Sequence, residues 1–380
     1  MTTLTTMFSL YLHIPFCRRK CPYCDFFSTP SGAVPDDYIA TLLAELELYR
    51  PYFTGTLSSV YFGGGTPSLL TARQVDTLLR VIAHHYPLPS DCEITLECNP
   101  EQASLAYFQA LRAVGVNRLS AGIQSLDDAL LRFLGRGHSA RQALDTLAFA
   151  EKAQFNRLSV DVIYGIPSQS EIALETTLKA LLGVEHISAY HLSIEEATPF
   201  GKMQARGKLC EVDEEVSVTH FALCDTLLRA AGYDHYEISS FARSEGYSCH
   251  NMGYWFDRPY LGLGAGAHAY AVMAEGARRW WNASHLPTYM RQVSEGVLFP
   301  ESELLTDELR WEEWLMTRLR TRWGLSLSEG AQRFGMPRIA RLLADAALFL
   351  SSGSLVHADD HLFIPPQHFL TADQTIRGLV

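Results

Sequence analysis

The stretch "LHIPFCRRKCPYCDFFS", residues Leu12–Ser28, contains Cys17, Cys21 and Cys24 in the spacing C-x3-C-x2-C. The chain has eight cysteines, but no fourth lies beside these three. Thiols stay reduced in the cytosol, so a tight cysteine cluster there indicates a metal site rather than a disulfide. A zinc site usually has four ligands, and an isolated cysteine elsewhere could supply the fourth. A [4Fe–4S] cluster is also held by thiolates, and three of them would leave one iron open.

Composition and charge limit the class of protein. The 380 residues are 47% hydrophobic and 19% charged, which is typical of a globular chain with one large domain and a smaller one. The net charge of −11 argues against a nucleic-acid partner. The start, MTTLTTMFSLYLHIPF, lacks the features of a signal peptide, and no apolar run approaches the ~18 residues of a membrane span. We therefore expect a cytoplasmic protein.

Strand and helix patterns alternate over the first two-thirds of the chain. The predicted strands are FSLYLHI (8–14), SSVYFGGG (58–65), EITLECN (93–99), RLSAGIQS (118–125), RLSVDVIYG (157–165) and HISAYHLSI (186–194). The predicted helices span 36–50, 71–85, 104–114, 127–153 and 170–182, with Asp36 or Asp37 and Thr71 near the first two N-caps. Six strands with crossovers predict an α/β fold, a partial (β/α)6 barrel.

Polar and glycine-rich signals gather where these strands end. They are the cysteine cluster, Gly63–Pro67, Glu97–Pro100, Gly122–Ser125, Asp161–Pro167 and Ser193–Glu195. The carboxyl ends of parallel strands meet at one edge, where such folds bind ligands. As alternatives, Glu97 and Asp161 could cap the helices that follow, and Arg136 in LGRGH could be a solvated loop charge.

The alternation stops near Asp213, which predicts a division of the chain. We expect a core at 1–212, an extension at 213–300 and a C-terminal domain at 301–380. The extension begins with a predicted helix at 213–231 and contains HNMGYW, residues His250–Trp255. The C-terminal domain is predicted to be mostly helical and winged-helix-like.

Together, YLHIPFCRRKCPYCDF and YFGGGTPS resemble the radical S-adenosylmethionine (AdoMet) superfamily. More narrowly, the chain resembles the oxygen-independent coproporphyrinogen III oxidases and the related HemW-type heme chaperones, over nearly its whole length. The resemblance implies that Cys17, Cys21 and Cys24 ligate a [4Fe–4S] cluster whose fourth iron binds AdoMet. It implies AdoMet contacts at Tyr11, Tyr23, Gly64, Gly65, Thr66, Glu97, Gln124, Arg136, Asp161, Ala189 and His268.

Two departures separate the chain from the oxidases. They carry a further cysteine where this chain has Phe26, and they carry a longer segment before the cluster. Both departures match the heme-chaperone branch. HNMGYW resembles that branch's HNxxYW motif, which implies heme contacts at His250, Asn251, Tyr254 and Trp255. The alternatives are that His250 caps a turn among core aromatics, or that the neighbouring Cys249 competes for the iron.

The resemblance implies a heme chaperone that transfers heme to apo-hemoproteins such as respiratory cytochromes. The alternative is a coproporphyrinogen III dehydrogenase, an enzyme that uses AdoMet to decarboxylate its substrate oxidatively. A radical SAM enzyme acting on RNA is disfavoured by the acidic net charge. Implied partners are heme and apo-hemoproteins of the respiratory chain, without nucleic acid. Peripheral membrane association through those partners and a homodimer are further expectations.

Overall fold

A 12-stranded sheet runs through the structure, a computed structural model that describes residues 6–243 and 246–380. The strands are β1 (Thr6–Ile14), β2 (Phe16–Cys17), β3 (Thr29–Pro30), β4 (Gly55–Gly64), β5 (Glu93–Cys98), β6 (Arg118–Gln124), β7 (Arg157–Tyr164), β8 (His186–His191), β9 (Asp234–Glu237), β10 (Ser240–Ala242), β11 (Tyr260–Leu263), β12 (His268–Met273), β13 (Gly276–Trp281), β14 (Glu301–Leu304), β15 (Leu325–Ser326), β16 (Val356–Ala358) and β17 (His361–Phe363). The α-helices are α1 (Asp36–Tyr49), α2 (Ala72–His85), α3 (Leu105–Ala113), α4 (Asp128–Phe133), α5 (Ala140–Lys152), α6 (Glu171–Ala180), α7 (Pro199–Gln204), α8 (Glu214–Ala230), α9 (Cys249–Trp255), α10 (Leu286–Ser294), α11 (Asp307–Arg318), α12 (Leu327–Phe334), α13 (Met336–Asp345), α14 (Ala347–Ser352) and α15 (Ala372–Arg377). Short 3-10 helices span Pro67–Leu69, Pro100–Gln102 and Pro366–Thr371.

The middle of this sheet is the predicted barrel. The strand order is β14-β13-β12-β11-β1-β4-β5-β6-β7-β8-β10-β9, and β1 with β4 to β8 run parallel. A helix connects each of these strands to the next, which confirms the partial (β/α)6 fold. The sheet stays open, with β14 and β9 at its ends.

Side chains alternate along the barrel strands. Leu10 and Leu12 of β1 and Val60 and Phe62 of β4 are buried and belong to the main hydrophobic core. The positions between them carry polar or tyrosine side chains, as the period of two of a strand requires. The barrel therefore has an apolar outer layer under the helices and a polar inner face.

The helix starts follow the predictions in part. Thr71 caps α2 in a capping box with Gln74, as expected. The N-cap of α1 is Pro35, and Asp36 and Asp37 lie within the first turn. There the two carboxylates favour the helix through its dipole, without a side-chain cap.

The single helix predicted at 127–153 is wrong, because α4 and α5 are separate helices. Gly135 lies between them with φ +70°, a conformation that interrupts a helix. A Cβ at Gly135 would lie 2.6 Å from Cδ of Pro22 in the cysteine loop, so this turn packs directly against the loop. The break thus brings Arg136 to the cysteines.

The predicted extension at 213–300 adds strands to both edges of the core sheet. β10 pairs antiparallel with β8, and β11 pairs parallel with β1 before β12 and β13 continue antiparallel. The C-terminal region packs helices α11 to α15 with a three-stranded sheet in the order β15-β17-β16. In the described ranges, we find no helix with the length and apolarity to cross a membrane.

A buried carboxylate joins the strands to the HNMGYW helix. Glu93 of β5 accepts hydrogen bonds from Arg118 (3.0 Å) and from the backbone N–H groups of Cys249 and His250 (3.1 Å each), and it pairs with Arg157 at 3.1 Å. Burial alone would raise the pKa of Glu93, but the two guanidinium groups and two N–H donors outweigh it and lower that pKa. The stabilisation is therefore complete above the ordinary glutamate pKa and is lost as the pH falls through the lowered value.

We predict that Glu93→Gln lowers the free energy of unfolding at pH 7 by about 3–5 kcal/mol, because it leaves the buried Arg118 and the half-buried Arg157 without their anion. Urea unfolding measures this change. The matched control is Glu175→Gln, which removes an exposed pair with Lys179 on α6 and costs at most about 0.5 kcal/mol. Equal losses for the two variants would contradict the role given to Glu93.

Candidate functional site

The cysteine loop connects β2 to β3 at the carboxyl end of the barrel. Cys17, Cys21 and Cys24 are half-buried and form no disulfide. Thr66 directs its hydroxyl at Sγ of Cys17 (3.4 Å), and Nη1 of Arg136 lies 3.8 Å from Sγ of Cys21. Donors aimed at two of the sulfurs fit thiolates that carry negative charge.

The three thiols are near enough to affect one another. Burial raises the pKa of Cys24, and the neighbouring Cys21 and Cys17 raise it further. Positively charged iron stabilises such thiolates. In the two described ranges, no three His, Cys, Asp or Glu side chains are arranged to hold a single metal ion. In a [4Fe–4S] cluster each cysteine binds a different iron, which is the pattern that one loop with three spaced thiols fits.

A cavity of about 390 Å³ opens beside this loop, and Cys24 lines it. It brings together most of the residues expected to contact AdoMet. These are Tyr23, Gly64, Gly65, Thr66, Glu97, Gln124, Arg136 and Asp161.

The glycine turn at the end of β4 has no room for a side chain at Gly64 or Gly65. A Cβ at Gly64 would lie 2.6 Å from the ring of His13, and one at Gly65 would lie 2.8 Å from the carbonyl oxygen of Phe16. Gly64 also has φ +109° and donates its N–H to Glu97 (3.2 Å). Bare backbone therefore forms this part of the cavity wall.

Two carboxylic acids in the cavity have raised pKa values. Burial raises the pKa of Glu97 to about 7 and that of Asp161 to about 6. Tyr61 donates a hydrogen bond to Glu97 at 2.9 Å. Neither acid caps a helix, so the alternative that Glu97 and Asp161 are helix caps is wrong. A cationic ligand would stabilise the ionised forms of both.

Arg136 is part of the cavity wall and not a solvated loop charge. Its Nη2 donates to Oδ1 of Asn99 (2.5 Å) and to the carbonyl oxygen of Gly122 (2.9 Å). Its Nε is buried and, in the described part of the chain, has no hydrogen-bond partner. An unused donor beside the cavity is what a ligand acceptor would satisfy.

The other three predicted AdoMet residues lie elsewhere. Tyr11 and His268 line a neighbouring cavity of about 490 Å³. Ala189 is buried in β8 and lines neither cavity. Phe26, which is 68% exposed, lines both cavities.

His250, one of the expected heme contacts, is engaged in the core of this structure. Its Nδ1 is 2.9 Å from Oγ of Ser59, and its Nε2 is 2.8 Å from the hydroxyl of Tyr254. The ring stacks on Tyr61, and burial lowers its pKa to about 4. With both ring nitrogens engaged, the imidazole has no lone pair free for a metal in this arrangement.

The four predicted heme residues do not share one surface. Asn251 lines a small polar cavity within the barrel, whereas Tyr254 lines the cavity of about 490 Å³. Trp255 is half-buried, and its Nε1 has no hydrogen-bond partner within the described residues. The Cys249 thiol, the competing candidate, donates to the carbonyl oxygen of Ser58 (3.7 Å).

Sequence reasoning missed several polar residues of the barrel. Ser120 and Tyr190 line the cavity but lie in none of the predicted rim segments, whereas Asn99, which lies in the predicted segment Glu97–Pro100, orients Arg136. The available signal was polar alternation within the strands, such as Arg118 and Ser120 in β6, which marks the inner face.

Comparison with known proteins agrees with this geometry. A family model described as the Radical SAM superfamily matches residues 11–181, and one described as the HemN C-terminal domain matches residues 305–370. A protein named heme chaperone HemW from Mycobacterium tuberculosis is 37% identical over 98% of this chain and 95% of its own. The HemW proteins of Bacillus subtilis (32% identity, 92% and 95% coverage) and Escherichia coli (39%, 70% and 71%) are similar as well.

A solved structure matches the whole fold. Coproporphyrinogen III oxidase (HemN) from Escherichia coli superposes with a TM-score of 0.83, at 22% identity, over 99% of this chain and 90% of that one. At that identity the likeness concerns the fold alone. The chain belongs to the radical SAM superfamily, which implies a [4Fe–4S] cluster and AdoMet, and within it to the HemW family.

Proposed function

We propose that the protein is a heme chaperone that binds heme and delivers it to apo-hemoproteins such as respiratory cytochromes. The observation that carries the proposal is the likeness, over almost the whole chain, to proteins named heme chaperone HemW. Delivery requires a chain that binds the cofactor without consuming it. Phe26 accords with this, because the oxidases resembling the chain have a further cysteine there.

Cys17, Cys21 and Cys24 would hold the [4Fe–4S] cluster, which supplies one-electron reduction of AdoMet when bound. Thr66 and Arg136 donate toward two of the sulfurs and thereby stabilise their negative charge. Such donors raise the reduction potential of an iron–sulfur group.

The AdoMet site would be the cavity beside the cysteines. Its bare backbone at Gly64 and Gly65 allows a close approach, and Glu97 and Asp161 offer negative charge to a cationic sulfonium and ammonium. Gln124 at the end of β6 and Arg136 in the turn between α4 and α5 add polar contacts. Both carboxyl groups lie among protein atoms in the cavity wall, and the lower local dielectric there strengthens their attraction for a cation.

We predict that anaerobic reconstitution gives about four irons and four sulfides per chain, as the cluster formula requires. Replacing Cys17, Cys21 and Cys24 together with Ala should abolish the bound iron and the visible charge-transfer absorbance. The matched control is Cys210→Ala, which removes an exposed cysteine outside the loop. Full absorbance in the triple variant would refute the assignment.

AdoMet binding should depend on the ionisation of Glu97, whose pKa is about 7. The carboxyl is mostly neutral at pH 6 and mostly ionised at pH 8, and only the ionised form attracts the cation strongly. We predict that Glu97→Gln raises the AdoMet Kd at pH 8 by about tenfold or more, since a bond to a charged group contributes about 1.5–3 kcal/mol. At pH 6 the variant and the parent should differ much less.

Isothermal titration calorimetry at both pH values measures this difference. The amino group of AdoMet titrates identically in both experiments, so the ratio of the two Kd values isolates Glu97. Glu175→Gln on α6 is the control that keeps the parent's behaviour. A ratio that stays constant from pH 6 to pH 8 would show that Glu97 does not contact the cation.

The chaperone function predicts hemin transfer without protoporphyrinogen formation, whereas the oxidase function predicts protoporphyrinogen formation. We expect the hemin-loaded protein to transfer hemin to an apo-cytochrome, which then develops its own Soret spectrum. With its cluster, AdoMet, a reductant and coproporphyrinogen III, the protein should form no protoporphyrinogen, whereas HemN from Escherichia coli serves as the positive control. Robust protoporphyrinogen formation without hemin transfer would favour the oxidase instead.

A further inference from the structure

An aromatic cavity lies beside the cysteine loop and is separate from the proposed AdoMet cavity. It measures about 490 Å³ and is lined by Phe26, Phe27, Tyr254, Tyr260 and His268, among others. This volume lies within the roughly 300–1,000 Å³ of ordinary ligand cavities. A large flat apolar ligand packs well against such aromatic walls.

Among the histidines near this cavity, only one has a free imidazole in the described residues. His13 is engaged by the hydroxyl of Tyr11 (3.0 Å) and the carbonyl oxygen of Phe27 (3.1 Å). His250 is engaged by Ser59 and Tyr254, as described above. His268 is exposed and makes no ring-nitrogen hydrogen bond within the described ranges. It therefore has a lone pair available to a metal.

The position of His268 is fixed by its backbone and by ring stacking, although its ring nitrogens make no hydrogen bond in the described residues. It begins β12, pairs with Trp281 of β13 and stacks on that indole at 5.8 Å. A Cβ at Gly262 would lie 1.9 Å from the carbonyl oxygen of His268, so β11 passes against its backbone. Partial burial and the nearby Arg279 lower the pKa of His268, which favours the neutral ring. Neutral imidazole is the form that ligates iron.

A cation lies in an adjoining cavity. A smaller cavity of about 180 Å³ shares Tyr254 and Tyr260 and is also lined by Arg258. Arg258 is exposed, and its guanidinium makes no hydrogen bond or ion pair in the part of the chain that the structure describes. It is available to a carboxylate such as a porphyrin propionate.

We propose that the aromatic cavity is the heme site and that His268 supplies the imidazole ligand of the iron. His250 is then a positioning residue, because its bond to Tyr254 holds that phenol ring in the cavity wall. The inference rests on the proposed heme-chaperone function and names the site that would carry it. It also gives the HNMGYW motif a role without requiring His250 to leave the core.

The test titrates hemin into the full chain and into three variants, and records the Kd and the Soret position. For His268→Ala we expect a shifted Soret band and a Kd raised by about tenfold or more, since even indirect partners of metal ligands contribute about 10–100-fold. Free imidazole should restore the parent's Soret position in this variant. The matched control is His357→Ala, which removes an exposed histidine in the C-terminal sheet.

His250→Phe separates the two histidines. Phenylalanine keeps an aromatic ring against Tyr61 but removes the bond to Tyr254. We expect weaker binding with an unchanged Soret position, because the iron ligand remains. A shifted Soret band in His250→Phe with parental spectra in His268→Ala would overturn the inference.

The outcomes also distinguish this inference from the chaperone proposal. If the parent binds hemin and transfers it while His268→Ala has the parental Kd and spectrum, only the site assignment fails. If the parent binds no hemin, the chaperone proposal fails and the site assignment with it. The iron–sulfur absorbance of each variant, which should stay at the parental level, verifies that the chain is folded.

Discussion

The carboxylate of Glu93 is the interaction on which the rest of the arrangement depends. It is fully buried and holds β5, β6 and β7 together through Arg118 and Arg157. The same group accepts the first two N–H donors of α9, so the HNMGYW helix is attached to the barrel at that point. Because a buried ion must be fully paired, its partners tolerate little displacement. The position of Tyr254, one turn further along the helix, follows from this attachment.

The parallel strands then determine where the chemistry lies. Their carboxyl ends carry the glycine turn, Glu97, Gln124 and Asp161 to one edge, and the cysteine loop lies next to them. The polar inner face of the barrel keeps these side chains hydrated or paired instead of packed in hydrocarbon. The outer face does not require such hydration or pairing, because its Leu, Ile and Val side chains are apolar and lie under the helices.

Local sequence patterns predicted the strands and the residues at their ends, whereas the features that depend on contacts between distant parts of the chain were missed. The strands and the rim residues were predictable because alternation and strand ends are local signals. The core role of His250 was predicted only as an alternative, because a seven-residue helix does not reveal which partners its face will meet. The aromatic cavity combines Phe26 and Phe27 with Tyr254, Tyr260 and His268, which are distant in sequence. The break at Gly135 was hidden because the pattern on both sides of it is helical.

Phe26 lines both cavities, so ligand binding in one cavity can affect ligand binding in the other. If a ligand in one cavity moves the phenyl ring, the shape of the other cavity changes with it. Any factor by which one ligand alters the affinity of the second must then apply equally in the reverse direction. Phe26, which stands where the oxidases have a cysteine, would thus couple the two sites. A ligand bound in one cavity would change the affinity of the other cavity for its own ligand.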